Sequence, residues 1–326
     1  MLYLLIAPAV NRHLTASLLF LLLTLFSCQS RQADERPTTD SLVSALPQEW
    51  SIALLPTTDC LPFYLAAQDI YDSLGLPLKA VVYASQMDAE QAVVEGKCIG
   101  CATDLFRTAV LQKQKKPLRY CFTTPREWNL IANKRLRLRS IKQLNDRVVA
   151  ITRHSCVNYL CEQAASRMKP TDLMLRPQIN DIFLRTKMLV NAQVDVAILP
   201  QPQALMARKQ GHTLLPLDGP KEALPAGFAL SAAFTNRPDG AEKVALLMKG
   251  YNLAVERLKL MKNLPADCVR EFRLGTFADS IDTAHAFAQA ALPTAEQQKT
   301  AVEWLKGQEA LPKTFDADTL TFPFHP

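Results

Sequence analysis

The chain has 326 residues, 48% of them hydrophobic and 21% charged, with a formal net charge of +6. These proportions exclude an intrinsically disordered or collagen-like chain and supply enough apolar material for one large or two ordinary cores. The densest basic run, residues 134–139 (KRLRLR), alternates cations with leucine, which reads as an exposed strand face or short loop; no nucleic-acid partner is expected.

In chain order, the first feature is an apolar run at residues 14–26 (LTASLLFLLLTLF) directly after Arg12 and His13. A cation followed by a short greasy stretch is what an export signal carries. The run falls short of the roughly 20 residues that a membrane-spanning helix needs. Leu25-Phe26-Ser27-Cys28 then resembles a bacterial lipobox, in which a small residue precedes a cysteine that receives diacylglycerol before cleavage. Residues 1–27 are therefore expected to be a signal peptide, leaving 326 − 27 = 299 residues that begin at the lipidated Cys28. Residues 28–47 are polar and lack apolar periodicity, as a flexible tether does. Lipidation would hold the protein on the periplasmic side of a bacterial cell membrane, outer or inner, without spanning it.

From Trp50 onward, short apolar runs alternate with amphipathic stretches. SIALLP (51–56) reads as a buried strand and residues 60–76 as a helix stopped near Gly75. LKAVVYA and CIGCAT read as strands, with helices through DAEQAVVEG and LFRTAVLQKQ. Two extended runs, PLRYCFTT and EWNLIANK, are split by Pro125, as a crossing between lobes would be. RVVAIT, DLMLR and VDVAIL continue as strands, separated by helices over SCVNYLCEQAASRM, DIFLRTKMLVNAQ and PQALMARKQG. After a further extended stretch from HTLLPLD to GFALSAAF, the chain reads as nearly all helix, including DTAHAFAQAAL and TAEQQKTAVEWLKG. Alternating β and α signals imply an α/β fold with two mostly parallel sheets flanked by helices, followed by a helical tail.

Five segments in this order resemble one family. LPTTDCLPFYLAAQDIYDSLGLPLKAVVY, AEQAVVEGKCIGCATDL, RSIKQLNDRVVAITRHSCVNYLCEQA, MLVNAQVDVAILPQPQALMARKQG and AVEWLKGQEALPKTFDADTL are similar to segments of the solute-binding proteins of ABC importers. The group is the one that handles nitrate, alkanesulfonates, taurine and thiamine precursors. The resemblance covers residues 50–320 and implies a two-lobed, type II periplasmic-binding fold. It also implies a monomer that hands a small polar or anionic solute to an ABC permease in the inner membrane, with no catalysis and no cofactor. Lobe one would be residues 48–124 plus 225–326 and lobe two residues 125–224, hinged near 123–127 and 218–227. Ile99, Ala192 and Gln201 depart from the family's usual aspartate, glycine and glutamate.

In open α/β sheets, ligands bind beyond the carboxyl ends of the strands. Those ends carry Thr58, Asp59 and Cys60, then Ser85, Thr103 and Asp104, then His154, Ser155 and Cys156, and lastly Gln201. These ten residues are the expected ligand-binding set, with Ser155, Asp59 and Asp104 equally suited to capping helices. Trp128 and Phe63 could pack on a flat ligand or belong to the core, and Asp195 is expected to make structural bonds. Two rival readings rest on Cys60, Cys101 and Cys156, which all fall near strand ends. One is a soft-metal or haem-type scavenger; the other is an enzyme of the iron-dependent pyrimidine-synthase branch of the same fold, whose contiguous cysteine cluster is missing here. Cys98-Ile-Gly-Cys101 has CxxC spacing, but it lacks a second CxxC or a histidine at ligand spacing, so no metal site is expected. No HExxH motif or phosphate loop appears either. For the anchor, Cys28→Ala is expected to abolish incorporation of labelled palmitate, read on a gel; an unlabelled wild-type protein would refute the lipobox.

Overall fold

The computed structural model describes residues 50–116, 118–169, 171–216 and 226–323; the expected signal peptide, Cys28, the tether and most of the second hinge lie outside the described residues. Among the described residues, no helix is long and apolar enough to cross a membrane. The apolar runs form two five-stranded sheets. β1 (Ser51–Leu54), β2 (Lys79–Val82), β3 (Gly100–Asp104), β4 (Leu118–Thr124) and β10 (Ala226–Ser231) make the first, in the order β2-β1-β3-β10-β4. β5 (Trp128–Ala132), β6 (Arg147–Ala150), β7 (Met174–Leu175), β8 (Val196–Pro200) and β9 (Thr213–Leu215) make the second, in the order β7-β6-β8-β5-β9. β1 runs parallel to β2 and β3, and β6 parallel to β7 and β8. β10 is antiparallel to β3 and β4, and β5 to β8 and β9. In each sheet, the antiparallel strand belongs to the segment that has just left the other sheet.

The helices are α1 (Leu61–Ala66), α2 (Ile70–Ser73), α3 (Gln86–Val94), α4 (Leu105–Lys113), α5 (Cys156–Ala165), α6 (Ile182–Val190), α7 (Gln203–Lys209), α8 (Ala232–Thr235), α9 (Gly240–Leu260), α10 (Ala266–Glu271) and α11 (Ala295–Gly307). Ser85, Asp104, Ser155 and Asp181 sit in extended conformation ahead of α3, α4, α5 and α6, and each side chain accepts an amide of the first turn. Such caps satisfy donors that the helix itself leaves open, at about 1 kcal/mol each. Ala192, where a glycine is usual in the resembling family, takes the left-handed conformation at φ 57°.

Two expected helices differ. The helix expected over residues 60–76 breaks between Ala66 and Ile70, where Asp69 turns outward to pair with Arg257 at 2.7 Å. The run at 282–292 (DTAHAFAQAAL) is an extended strap after one turn. Its backbone is claimed by tertiary partners: Asn252 Oδ1 accepts from the Ala290 amide, and Thr123 and Ala291 exchange two hydrogen bonds across the edge of β4. Alanine-rich composition favours helix only weakly, and tertiary pairing overrides it.

The first sheet's core centres on Phe63, which lies 4.7 Å from Phe228 and 4.6 Å from Tyr251 between ring centroids. Beside it, β10 and β4 approach closely at Gly227, where a Cβ would overlap the Tyr120 hydroxyl and the Phe122 carbonyl. Gly227→Ala is therefore expected to destabilise the protein by about 1–3 kcal/mol, the usual cost of overpacking, measured by urea unfolding.

Candidate functional site

The strand-end residues come together, but mostly to seal one lobe against the other. Asp104 accepts the Arg107 amide at 2.9 Å and the Gln86 side chain at 2.8 Å, then reaches across to the Cys156 amide of lobe two at 3.3 Å. Burial raises its pKa against those hydrogen bonds. Thr103 donates to Glu90 at 2.8 Å and accepts from Gln86, while Glu90 holds Arg107 in a buried ion pair at 2.8 Å. Ser85 caps α3 and bridges to Asp181; Ser155 caps α5 and donates to the Thr152 carbonyl at 2.6 Å. His154 adopts φ 52°, and burial followed by the Arg107 charge lowers its pKa. Thr103, Asp104, Ser155, Cys156 and Cys60 are wholly buried, so none of them lines an open space.

Asp59 follows the same logic at the crossing between sheets. Its carboxylate takes the Arg126 guanidinium at 2.9 and 3.0 Å and the Thr124 hydroxyl at 2.6 Å. Burial opposes its ionisation, but the Arg126 charge and these bonds outweigh it and hold the carboxyl below its ordinary range. Cys60 lies beside this pair, and burial pushes its thiol up to about 12.

Immediately outside the sealed contact lies an open cleft of about 750 Å³. The first lobe contributes Thr58 and the strap residues around Ile281 and Phe287; the second contributes Trp128 and Asn129 of β5, Tyr159 and Gln163 of α5, and Gln201. Of the ten expected ligand-binding residues, Thr58 and Gln201 line it, joined by a backbone bond from the Thr58 amide to the Gln201 carbonyl at 3.0 Å. Trp128 also lines it, whereas Phe63 lies in the core. Arg126, Asn129 and the strap are the lining residues that the sequence reading missed; the signal was the PREWN run directly after a strand. Three of the four positions 126–129 carry a buried donor without an acceptor among the described residues: Arg126 Nη1, Trp128 Nε1 and Asn129 Nδ2.

Above the cleft, a clasp joins the lobes. Glu162 of α5 accepts Trp304 Nε1 and Gln308 Nε2 of lobe one, each at 3.0 Å, and pairs with Arg176 at 3.2 Å. Tyr159 packs with Phe106 and Trp304 at centroid distances of 5.2 and 5.6 Å. Asp195 bonds the Val148 amide at 2.9 Å, which ties the second sheet internally.

Cys60, Cys98, Cys101, Cys121, Cys156, Cys161 and Cys268 are buried and unbridged, and burial raises every one of these thiols above its ordinary value. None lines the cleft. Among the described residues, no group of three His, Cys, Asp or Glu side chains is placed to hold a metal ion.

The chain matches no protein-family model and no curated protein. Solved structures do resemble it. The alkanesulfonate-binding protein SsuA of Xanthomonas axonopodis pv. citri, bound to MOPS, superposes with a TM-score of 0.69 over 85% of this chain and 99% of that one, at 16% identity. The periplasmic aliphatic sulphonate-binding protein SsuA of Escherichia coli gives 0.63 over 86% and 93%, at 13% identity. The periplasmic nitrate-binding protein NrtA of Synechocystis PCC 6803 gives 0.59 over 83% and 85%, at 12% identity. The fold is thus that of type II periplasmic-binding proteins: two α/β lobes, each a sheet flanked by helices.

Removing Asp59 leaves a buried guanidinium unpaired. Asp59→Asn is therefore expected to cost about 3–5 kcal/mol at pH 7. Because the folded pKa of Asp59 is lowered, its contribution is present above about pH 3.9 and is lost as pH falls through the folded value. Asp104, whose folded pKa is raised, contributes in the opposite sense: its share is full below about pH 3.9 and is lost as pH rises through the folded value. Urea midpoints between pH 2 and 7 should show a shallower acid limb in the Asp59→Asn protein than in wild type.

Proposed function

We propose that this chain is an extracytoplasmic, lipid-anchored solute-binding protein that captures a small polar or anionic solute between its lobes and delivers it to an ABC permease. The observation that carries this reading is the cleft of about 750 Å³, walled by both lobes beside the 125–127 crossing. A site built this way gains its full set of contacts only when the lobes are together, so binding shifts the population toward closure. The crossing at Pro125, with the Asp59–Arg126 pair behind it, and the connection before β10 would serve as the two-strand hinge, and residues 48–124 plus 225–326 would move against 125–224. The fold is shared with sulfonate- and nitrate-binding proteins of import systems, which supports capture over catalysis. The buried thiols, all with raised pKa, offer no activated nucleophile in the cleft.

Native mass spectrometry of protein isolated from its own membranes is expected to show one co-purifying small molecule. Adding that molecule back to stripped protein should raise the melting temperature, and small-angle scattering should show a smaller radius of gyration. Gln201→Ala is expected to weaken binding roughly tenfold with little change in stability, because Gln201 lines the cleft, while the hydroxyls of Thr103 and Ser155 are bonded to Glu90 and to the Thr152 carbonyl within their own lobes. Saturated binding with an unchanged radius of gyration, or multiple turnover of the bound molecule, would overturn the proposal.

A further inference from the structure

The positive charge of this chain is gathered in one place. Lys134, Arg135, Arg137, Arg139 and Lys142 put five cations within nine residues, against a formal net charge of +6 for the whole sequence. No carboxylate stands between Glu127 and Asp146. The residues between the cations explain the arrangement. Leu138, Ile141 and Leu144 are buried in the core of the second sheet, and Leu136 packs against it. The chain makes two short 3-10 turns, Lys134–Leu136 and Ile141–Gln143, capped by Asn133 and Ser140, with Arg137 at φ 52° between them. Leucine and isoleucine are held inward, and all five cations are left exposed.

This loop leaves β5 at Ala132, which pairs with Val196 at the start of β8, whereas Trp128 pairs with Pro200 at its end. The cations therefore stand at the end of β5 away from the crossing between sheets. The last turn of α7 adjoins them. Lys134 Nζ donates to the Gln210 carbonyl at 2.9 Å, the Lys134 amide donates to His212 Nδ1 at 3.3 Å, and Arg208 is exposed. Asp146 and Asp195, which adjoin the loop in the fold, accept from the Asn145 side chain and the Val148 amide. Among the described residues, Arg135, Arg137, Arg139, Lys142 and Arg208 form no ion pair. Unpaired like charges repel one another, and a counter-surface of negative charge relieves that repulsion.

The form of the patch selects the counter-surface. Apolar side chains fill the space beneath the cations, so the loop spreads its charges over a face instead of enclosing a small anion. No aromatic residue lies between Trp128 and Tyr159, so the stacking platforms that accompany cations in nucleic-acid grooves are missing. A lipid head-group layer asks only for a breadth of cations, and arginine forks suit its phosphates.

We infer that this face of the second lobe rests on a bilayer that contains anionic phospholipid. The inference rests on the lipid-anchored reading above. An acyl anchor at Cys28 would keep the body close to a bilayer without choosing which face meets it; the loop at 134–142 and the end of α7 make that choice. Tethering raises the effective concentration of the surface, so a contact that is weak for a free protein becomes populated.

The exported protein, bound to vesicles, provides the test. One set of vesicles is phosphatidylcholine alone, and the other carries roughly a third phosphatidylglycerol. Flotation with the neutral vesicles reads the anchor by itself; failure to float there refutes the anchor, while the anionic vesicles still decide the patch. Amide hydrogen exchange over residues 134–142 is expected to slow at least roughly threefold on the anionic vesicles relative to the neutral ones, and to recover in about 1 M salt, where charges are screened within about 3 Å. Arg135→Glu with Arg137→Glu and Arg139→Glu should abolish the slowing at a near wild-type melting temperature, and the same three positions changed to lysine should keep it. Reversal of three exposed cations of the first lobe, Lys262→Glu, Lys299→Glu and Lys313→Glu, should also leave it in place. Equal exchange of the wild-type protein on both vesicles overturns the inference without needing any variant. Loss of the slowing in the first-lobe reversal overturns it in favour of net charge. Slowing confined to native membranes and absent from protein-free anionic vesicles overturns it in favour of an acidic protein partner.

Discussion

A buried carboxylate cannot stand alone, and in this protein the answer to Asp59 is Arg126, 67 positions along the chain. Both side chains are only 1% exposed. Asp59 lies in the turn that ends the first strand; Arg126 lies where the chain passes from the first sheet to the second. The pair therefore fixes the crossing before any solute is considered. Two of the guanidinium's nitrogens are committed to the carboxylate, the Thr124 hydroxyl completes the acceptor's bonding, and the third nitrogen is left over. With the guanidinium pinned, the Trp128 ring packs against it, and the strand that begins at Trp128 starts with a defined orientation. An isolated ion pair of this kind is weak evidence for stability in itself. Its consequence here is geometric: one ionic contact sets both the joint between the lobes and the direction of the donors beside it.

The strand ends show the same economy of polar groups. Asp104 is at once the cap of α4, the acceptor for Gln86 and the bridge to the amide that opens α5 in the other lobe. The dipole at the start of α5 makes that amide a good donor to a carboxylate. Cross-lobe bonds from the Gln203 side chain to the Pro56 carbonyl at 2.7 Å and from the Ile182 amide to the Ala84 carbonyl at 2.9 Å extend the seam. The contact between lobes thus carries directional bonds alongside apolar packing of Phe106 and Tyr120 with Cys156 and Tyr159. The aromatic cluster of Phe106, Tyr159 and Trp304, with Glu162 receiving two donors above it, is the apolar counterweight at the outer edge.

What was legible in the sequence was whatever is decided locally. Apolar runs of four or five residues followed by Ser85, Asp104 or Ser155 announce a strand, a cap and a helix, because a capping side chain acts within three residues of itself. The two-sheet architecture followed from that rhythm and from Pro125 between two extended runs. What escaped was whatever depends on distant partners. The same residues were read as caps or ligand contacts, and nothing local reveals that Asp104 also reaches the Cys156 amide, 52 positions away. Arg126 was invisible as a site residue because its state is set by Asp59. The 282–292 segment was read as a helix because its composition is alanine-rich; Asn252 and Thr123, far off in sequence, take its backbone instead.

These observations separate two sets of residues that one fold must serve. Those at the strand ends are committed to caps and to the seam, and their bonds are largely satisfied within the protein. Changing one of them disturbs the joint as well as any ligand. Gln201 and the strap at 280–288 carry less of that burden, whereas Arg126 of the crossing is committed to Asp59. Gln201 is partly exposed, the strap is held at Thr283, Ala290 and Ala291, and the donors at 126–129 lack acceptors among the described residues. A scaffold organised this way can alter what it recognises by substitutions in the second set while the first keeps the lobes in register. On the capture reading, recognition would sit beside the 125–127 crossing, next to a buried network whose hydrogen bonds are largely made within the protein.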